Sequence, residues 1–215
     1  MYLTDIDFPF LRILFECRVT GPLLYFTPRR GETIKGLIAH EMKKGFPCSA
    51  HDSCNRCKLV DDPAQCEFVR FCRFDLTRSP FAYVIIPPLN FRSAYCRNEK
   101  FSFEIRLFGE CAEFGYLLKY LAPAIEQGGL LTGMGNWYKE ADHFGRFQLS
   151  NIYAWQDNDW TNIFQEDKGF IQDNIRTQSF KHDIPIGKES YKRILFYTPF
   201  CLKRSKQYVY EPSLA

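Results

Sequence analysis

The 215-residue sequence contains no run of the ~18 apolar residues that a membrane-spanning helix requires, no short tandem repeat and no low-complexity tract. It also lacks a dominant charge. With 28 Lys and Arg against 25 Asp and Glu, the formal net charge is +3, so any affinity for a polyanion has to come from local clustering. The acidic opening Met1-Tyr2-Leu3-Thr4-Asp5 has no basic flank of the kind a secretory signal carries. Together these absences predict a soluble, cytoplasmic protein with no membrane partner. What the chain has in quantity is apolar surface: 46% of residues are hydrophobic and 17% aromatic, which excludes disordered, collagen-like and coiled-coil chains. The length allows one large domain, or one domain and part of a second.

The nine cysteines are unevenly spread. Cys17, Cys96, Cys111 and Cys201 are scattered and are expected to behave as small buried apolar residues. Cys48, Cys54, Cys57, Cys66 and Cys72 crowd one short stretch, and without an export signal this points to a metal site rather than a disulfide framework. The pattern Cys48-x5-Cys54-x2-Cys57-x8-Cys66 offers a C-x2-C edge and two further thiolates for a tetrahedral, structural zinc. His51 and Cys72 are alternative ligands. An iron–sulfur cluster and a reduced, metal-free loop are the competing readings.

Hydrophobic period divides the rest of the chain. Phe8 to Phe26 reads as one long strand, bent at Gly21-Pro22. Glu32 to Gly45 changes to helical spacing, with Ile34, Leu37, Ile38 and Met42 on one stripe and Gly36, His40, Lys43 and Lys44 away from it. The Cys-rich segment, residues 47–74, reads as an insertion after this helix. Phe81 to Pro88 and Lys100 to Gly109 read as strands, Glu110 to Gln127 as a second helix interrupted at Pro123, and His143 to Trp155 as a further strand. The order βαββαβ predicts an α+β, ferredoxin-like (RRM-like) domain over residues 1–155, with an antiparallel sheet, both helices on one face and the other face available. Residues 156–190, polar and net acidic, read as a linker or excursion. Residues 191–215 read as the first strand of an incomplete second domain.

Gly128 to Phe147 holds the densest chemistry. Its glycines, Gly133 and Gly135 among them, sit between a helix and a strand, where missing side chains would let backbone N–H groups approach an anion. Lys139, His143 and Arg146 add donors for phosphate, and Trp137 could stack on an unpaired base. The competing reading is a hairpin-like connection whose glycines only satisfy turn geometry. Arg29 and Arg30, just before helix one, form a basic cluster that matters only if folding brings it beside the histidine.

Four segments carry a family resemblance. GMGNWYKEADHFGRFQL, residues 133–149, resembles the glycine-rich loop of the RAMP superfamily of CRISPR-associated RNA-binding proteins. Residues 33–40, TIKGLIAH, resemble the "RGALGH" helix start of the CRISPR repeat-processing endoribonucleases, with Lys35 standing where arginine is usual. Residues 83–88, YVIIPP, resemble their "PYVL-x-PP" strand. Residues 195–203, LFYTPFCLK, resemble the "TPLRLK" strand that opens a second ferredoxin-like domain. The resemblance implies binding of CRISPR repeat RNA and its metal-independent cleavage to a 2′,3′-cyclic phosphate and a 5′-hydroxyl. It implies His40 as general acid or base, with Lys43 and Lys44 stabilising charge on the phosphoryl oxygens. His143 is the reserve candidate, while His182 is expected to be merely solvated. Arg29, Arg30, Lys35, Gly133, Gly135, Trp137, Lys139, His143 and Arg146 are the expected RNA contacts. Other CRISPR-associated proteins and a second copy of the chain are the further expected partners. The alternative function within the same resemblance is a non-catalytic subunit that holds guide RNA in an effector complex.

Overall fold

The computed structural model describes residues 2–3, 8–26, 29–45, 66–72, 83–90, 92–135, 145–172, 175–180, 184–185, 202–204 and 207–209. The chain divides into two compact units, Asp5–His182 and a second comprising Met1–Thr4 and Asp183–Ala215. In the second unit, β1 (Tyr2–Leu3) pairs antiparallel with Ile184–Pro185, and Leu202–Arg204 pairs antiparallel with Gln207–Val209. Among the described residues no helix is long and apolar enough to cross a membrane.

The larger unit is α+β, built on one antiparallel sheet. Strand β2 (Phe8–Val19) alternates cleanly: Leu11, Ile13, Phe15, Cys17 and Val19 are buried, while Arg12, Leu14, Glu16 and Arg18 point to the other face. This is the period of two that a strand with one covered face requires. At Thr20 to Pro22 the chain breaks instead of bending as one strand. The N–H groups of Thr20 and Gly21 both donate to the Arg146 carbonyl, at 3.0 and 3.1 Å. The short β3 (Leu23–Tyr25) then pairs in a separate two-stranded sheet with β5 (Ala94–Cys96).

Helix α1 (Arg30–Lys44) carries Glu32 in its first turn and Lys43 and Lys44 in its last, each favourable to the helix dipole. It starts two residues earlier than its spacing predicted. Within the Cys-rich stretch, α2 (Glu67–Cys72) buries Phe68, Val69, Phe71 and Cys72 in the core. Strands β4 (Tyr83–Ile86) and β6 (Lys100–Phe108) follow, and β6 pairs with β2 without a register shift from Phe10↔Phe108 to Arg18↔Lys100. Phe15 stacks on Phe103 across that pairing, ring centroids 5.3 Å apart.

The second helical region runs further than expected, to Thr132. It comprises α3 (Phe114–Tyr116), a π turn Leu117–Leu121, α4 (Ala122–Gln127) and a second π turn Gly128–Thr132. Pro123 has no N–H to give to the preceding turn, and the wider π turn stands directly before α4. Gly128 and Gly129 do not break the helix; they let it sit close. A Cβ on Gly128 would lie 2.8 Å from Leu37 of α1, and one on Gly129 would lie 2.6 Å from the Phe147 ring. Both helices bury their apolar sides in the same core as Leu11, Ile13, Phe15, Ile105 and Leu107.

Strand β7 (Phe147–Gln156) pairs with β2, with a bulge between Glu16 and Cys17, and starts four residues later than expected. Part of the segment 156–190, expected to be a linker, instead extends the sheet. β8 (Asp159–Gln165) pairs with β7, β9 (Gly169–Phe170) pairs with β8, and β10 (Gln178–Phe180) pairs with the start of β2. The turn between β7 and β8 is Asp157-Asn158, with φ +49° and +65°. Two central residues with positive φ are what a tight two-residue hairpin needs. The sheet order is β4-β6-β2-β7-β8-β9. Of residues 191–215, only 202–204 and 207–209 are described, so the expected strand at 191–202 lies largely outside the described residues.

Replacing Gly129 by Ala is expected to destabilise the larger unit by about 1–3 kcal/mol, because the added methyl meets both ring and backbone of Phe147. Urea denaturation of the full chain checks this, and a midpoint unchanged from wild type would contradict the close helix–sheet contact.

Candidate active site

The face of α1 turned from solvent is not wholly apolar. Ile34, Leu37, Ile38 and Met42 are buried as their spacing predicts, and so is Glu41, whose side chain is 1% exposed. Its Oε1 accepts from Lys44 Nζ at 2.7 Å and from Thr132 Oγ1 at 2.5 Å. Lys44 Nζ also lies 3.5 Å from Thr132 Oγ1. His40 Nε2 is 3.9 Å from the same carboxylate oxygen, with the imidazole 59% exposed. The other oxygen, Oε2, is buried with no hydrogen-bond partner among the described residues. Thr132 closes the second π turn, immediately before Gly133, so one carboxylate joins the end of helix α1 to the start of the glycine-rich segment.

The electrostatics of this junction follow from burial and charge. Burial alone would raise the Glu41 pKa. The hydrogen bonds from Lys44 and Thr132, with the positive charges of Lys44 and His40, outweigh it and hold the carboxyl below the ordinary carboxylate range. Glu41 is therefore ionised at neutral pH, with the solvent-facing Lys44 ammonium and His40 imidazole beside it.

The glycine-rich segment is tightly fixed at both described ends. Gly133 N–H donates to the Gly128 carbonyl at 2.7 Å, Met134 N–H to Gly145 at 2.9 Å, and Gly145 N–H to Leu23 of β3 at 2.8 Å. Gly135 and Gly145 both have φ +72°, and a Cβ at either would collide with a backbone carbonyl, that of Tyr25 or of Met134. These two positions thus require glycine for close backbone packing. The N–H groups of Gly133, Met134 and Gly145 are given to carbonyls, so turn geometry and backbone contact account for this part of the segment.

The other expected site residues are dispersed. Lys43 is half-buried in the last turn of α1, one turn from His40. Arg29 is exposed at the opposite end of the helix, 3.4 Å from Glu32. Arg30 donates to the Pro88 carbonyl at 2.8 Å. Ten residues separate Arg30 from His40, about 15 Å along the helix axis, so Arg29 and Arg30 do not join the histidine cluster. Lys35 is half-buried a turn and a half before His40. Arg146 is half-buried, and its carbonyl holds the break after β2. Trp137, Lys139 and His143 lie outside the described residues, as do Cys48, Cys54, Cys57 and His182. Cys66 is half-buried against the core and outside any disulfide. Among the described residues, no group of three or more His, Cys, Asp or Glu side chains could hold a metal ion.

The open face of the sheet is charged but internally paired. Arg12 donates to both oxygens of Glu104, at 2.7 and 3.2 Å, and Arg106 donates to it at 2.8 Å. Arg12 also lies over the rings of Trp155 and Trp160, 4.8 and 5.2 Å from their centroids. Glu16 accepts from Lys100 at 3.0 Å and from Asn151 at 2.8 Å, and Arg18 meets Glu166 at 2.9 Å. These four basic side chains are each committed to a carboxylate.

Glu41 is the site residue that the sequence reading missed. Its signal was available: position 41 is seven residues after Ile34 and four after Leu37, on the apolar stripe itself. A carboxylate at such a position has to be held by neighbours.

The fold and the junction together define an α+β protein with a one-faced antiparallel sheet and a buried carboxylate between its two helical regions. A family described as an N-terminal domain, AF_1859_N, matches residues 8–177, and the chain belongs to that family. No curated protein matches the sequence.

Because the folded-state Glu41 pKa lies below its unfolded value, its ionisation contributes stability that is complete above the ordinary carboxylate range. That contribution is lost as pH falls through the folded pKa. Urea midpoints measured from about pH 7 down to about pH 3 are expected to fall less steeply in Glu41→Gln than in wild type. Parallel curves for the two proteins would show that the carboxylate is not held as described.

Proposed function

We propose that the protein is a CRISPR-associated endoribonuclease of the RAMP type, which binds repeat RNA and cleaves precursor CRISPR RNA without a metal. The observation that carries this reading is the junction of α1 with the glycine-rich segment. There an exposed imidazole, His40, and an ammonium, Lys44, stand within reach of one carboxylate oxygen. The four family-like segments supply the substrate class. The order β4-β6-β2-β7, with one helical region between β2 and β4 and another between β6 and β7, supports reading this part of the sheet as ferredoxin-like. On this reading the protein works in the cytoplasm, alongside other CRISPR-associated proteins.

The reaction breaks the P–O5′ bond. The ribose 2′-oxygen loses its proton and attacks phosphorus, the 5′-oxygen leaves and takes up a proton, and the products are a 2′,3′-cyclic phosphate and a 5′-hydroxyl. His40 performs one of the two proton transfers, since an imidazole nitrogen can accept or donate a proton and this one is open to a substrate. Lys43 and Lys44 place positive charge against the phosphoryl oxygens. A structural zinc bound by Cys48, Cys54, Cys57 and Cys66 belongs to the same reading. The half-buried, unbridged thiol of Cys66 suits such a ligand, and no step of the reaction passes through the metal. Elemental analysis of the purified full chain is expected to find zinc in stoichiometric amount.

The test is cleavage of a labelled repeat RNA in EDTA, followed on a denaturing gel. His40→Ala is expected to lower the cleavage rate about 10²–10⁴-fold while RNA affinity stays within about twofold of wild type. Equal cutting by both proteins overturns the assignment of His40. RNA binding without cleavage by the wild type would replace the enzyme with a guide-holding subunit.

A further inference from the structure

We infer that Glu41 is a positioning residue, a buried carboxylate that sets Lys44 and ties it to the glycine-rich segment while staying out of contact with the substrate. The inference rests on the proposed reaction for its purpose and on geometry for its content. Glu41 stands where an apolar side chain would complete the stripe of α1. Its neighbours on that stripe, Leu37, Ile38 and Met42, are all buried. Enclosing an ionised carboxylate there is costly unless it is fully compensated. Compensation reaches only one oxygen: Oε1 takes Lys44 and Thr132, and Oε2 has no hydrogen-bond partner among the described residues. The position is unfavourable for a second reason, since Glu41 sits in the last turn of α1, at the negative end of the helix dipole.

Those costs secure a specific geometry. Lysine has a long, mobile stem, and a half-exposed ammonium would otherwise sample many rotamers. Lys44 is instead held 2.7 Å from Glu41 and 3.5 Å from Thr132, which fixes its charge beside His40 and joins two segments far apart in the chain. With its side chain 1% exposed, Glu41 cannot itself reach a phosphate. Its effect on the reaction passes through Lys44 and through the placement of Thr132 and Gly133.

Two variants and two readouts test this on the full chain, after melting curves have established the temperature at which each protein is folded. Glu41→Gln keeps an oxygen acceptor and removes the charge, whereas Glu41→Leu completes the apolar stripe and removes both. The first readout needs no RNA. Reductive methylation followed by mass spectrometry is expected to label Lys44 several-fold faster in Glu41→Leu than in wild type, with Lys43 as the internal reference. The second readout is cleavage of repeat RNA: kcat is expected to fall about 10²-fold in Glu41→Leu and less in Glu41→Gln, with KM within about twofold of wild type. A carboxylate needed only for folding would move the melting curve and leave kcat of the folded protein unchanged, and that result overturns the inference. Unchanged Lys44 labelling overturns it as well. If the wild type fails to cleave, the enzymatic reading falls and the catalytic purpose of Glu41 with it. That failure is recognisable, because the labelling difference between wild type and Glu41→Leu would persist.

Discussion

Strand β2 is hydrogen-bonded along both edges, to β6 on one side and to β7 and β10 on the other, and everything in the larger unit is placed relative to it. A central strand leaves no backbone donor for other uses, so its placement of side chains is fixed by the pleat alone. The odd-numbered residues from Leu11 to Val19 therefore commit one face to an apolar core, and both helical regions must cover that face. The even-numbered residues commit Arg12, Glu16 and Arg18 to the other face, where each finds a partner of opposite charge. Glu104 stays ionised in its partly buried position because Arg12 and Arg106 both donate to it. Burial opposes its ionisation, and the two guanidinium groups outweigh that and lower its pKa. Cation and carboxylate on this face are thus parts of the sheet's own stabilisation, which leaves the chemistry of the molecule to its other side.

On that other side the controlling feature is the closeness of the helical regions. Gly128 lets α4 approach Leu37 of α1, and Gly129 lets the same turn approach Phe147 of β7. With the backbones this near, Thr132 comes within a hydrogen bond of a side chain ninety-one residues earlier in sequence, Glu41. The contact depends on absent side chains at two consecutive positions and on a π turn that carries the helix past them. A bulkier residue at either position would separate the helix from its neighbours and break the junction before any charged group was touched.

What could be read from the sequence was whatever repeats with a clean period. β6 and β4 are legible within a few residues, and α1 all but its first two residues, because alternation and 3.6-residue spacing are local signals. The rest was hidden for identifiable reasons. Gly128-Gly129 looks like a helix stop, and only packing against Leu37 and Phe147 explains why the helix continues. The hairpin between β7 and β8 turns on Asp157-Asn158, residues that tolerate positive φ but also abound in linkers, so a sheet strand looked like a polar excursion. The break after β2 depends on the Arg146 carbonyl, more than a hundred residues away, which no local pattern reports. At the site, His40 and Lys44 stood out as polar residues off the apolar stripe. Glu41 was passed over because it lies on the stripe, where a charge reads as noise. The glycines were legible as a cluster, but not their purpose: at Gly135 and Gly145 it is contact with specific carbonyls.

The placement of Glu41 also decides what an approaching polyanion would meet. Lys43, Lys44 and Glu41 sum to a single positive charge, which is little for recognising phosphate if all three are equally exposed. They are not equally exposed. The carboxylate is enclosed, while the Lys44 side chain is 50% exposed and the His40 side chain 59%. A phosphate at the surface is therefore nearer to the Lys44 ammonium and the His40 imidazole than to the anion, and Coulomb interaction falls with distance. The last turn of α1 adds backbone carbonyls, whose negative potential favours keeping these basic side chains at that end of the helix. Placed one position earlier on α1, where His40 is exposed, the same carboxylate would leave the stripe and compete with the substrate for Lys44. Enclosed at position 41 it can orient the ammonium and still leave an electropositive surface, and this is what separates a structural ion pair on the open face of the sheet, such as Arg12 with Glu104, from the arrangement at the end of α1.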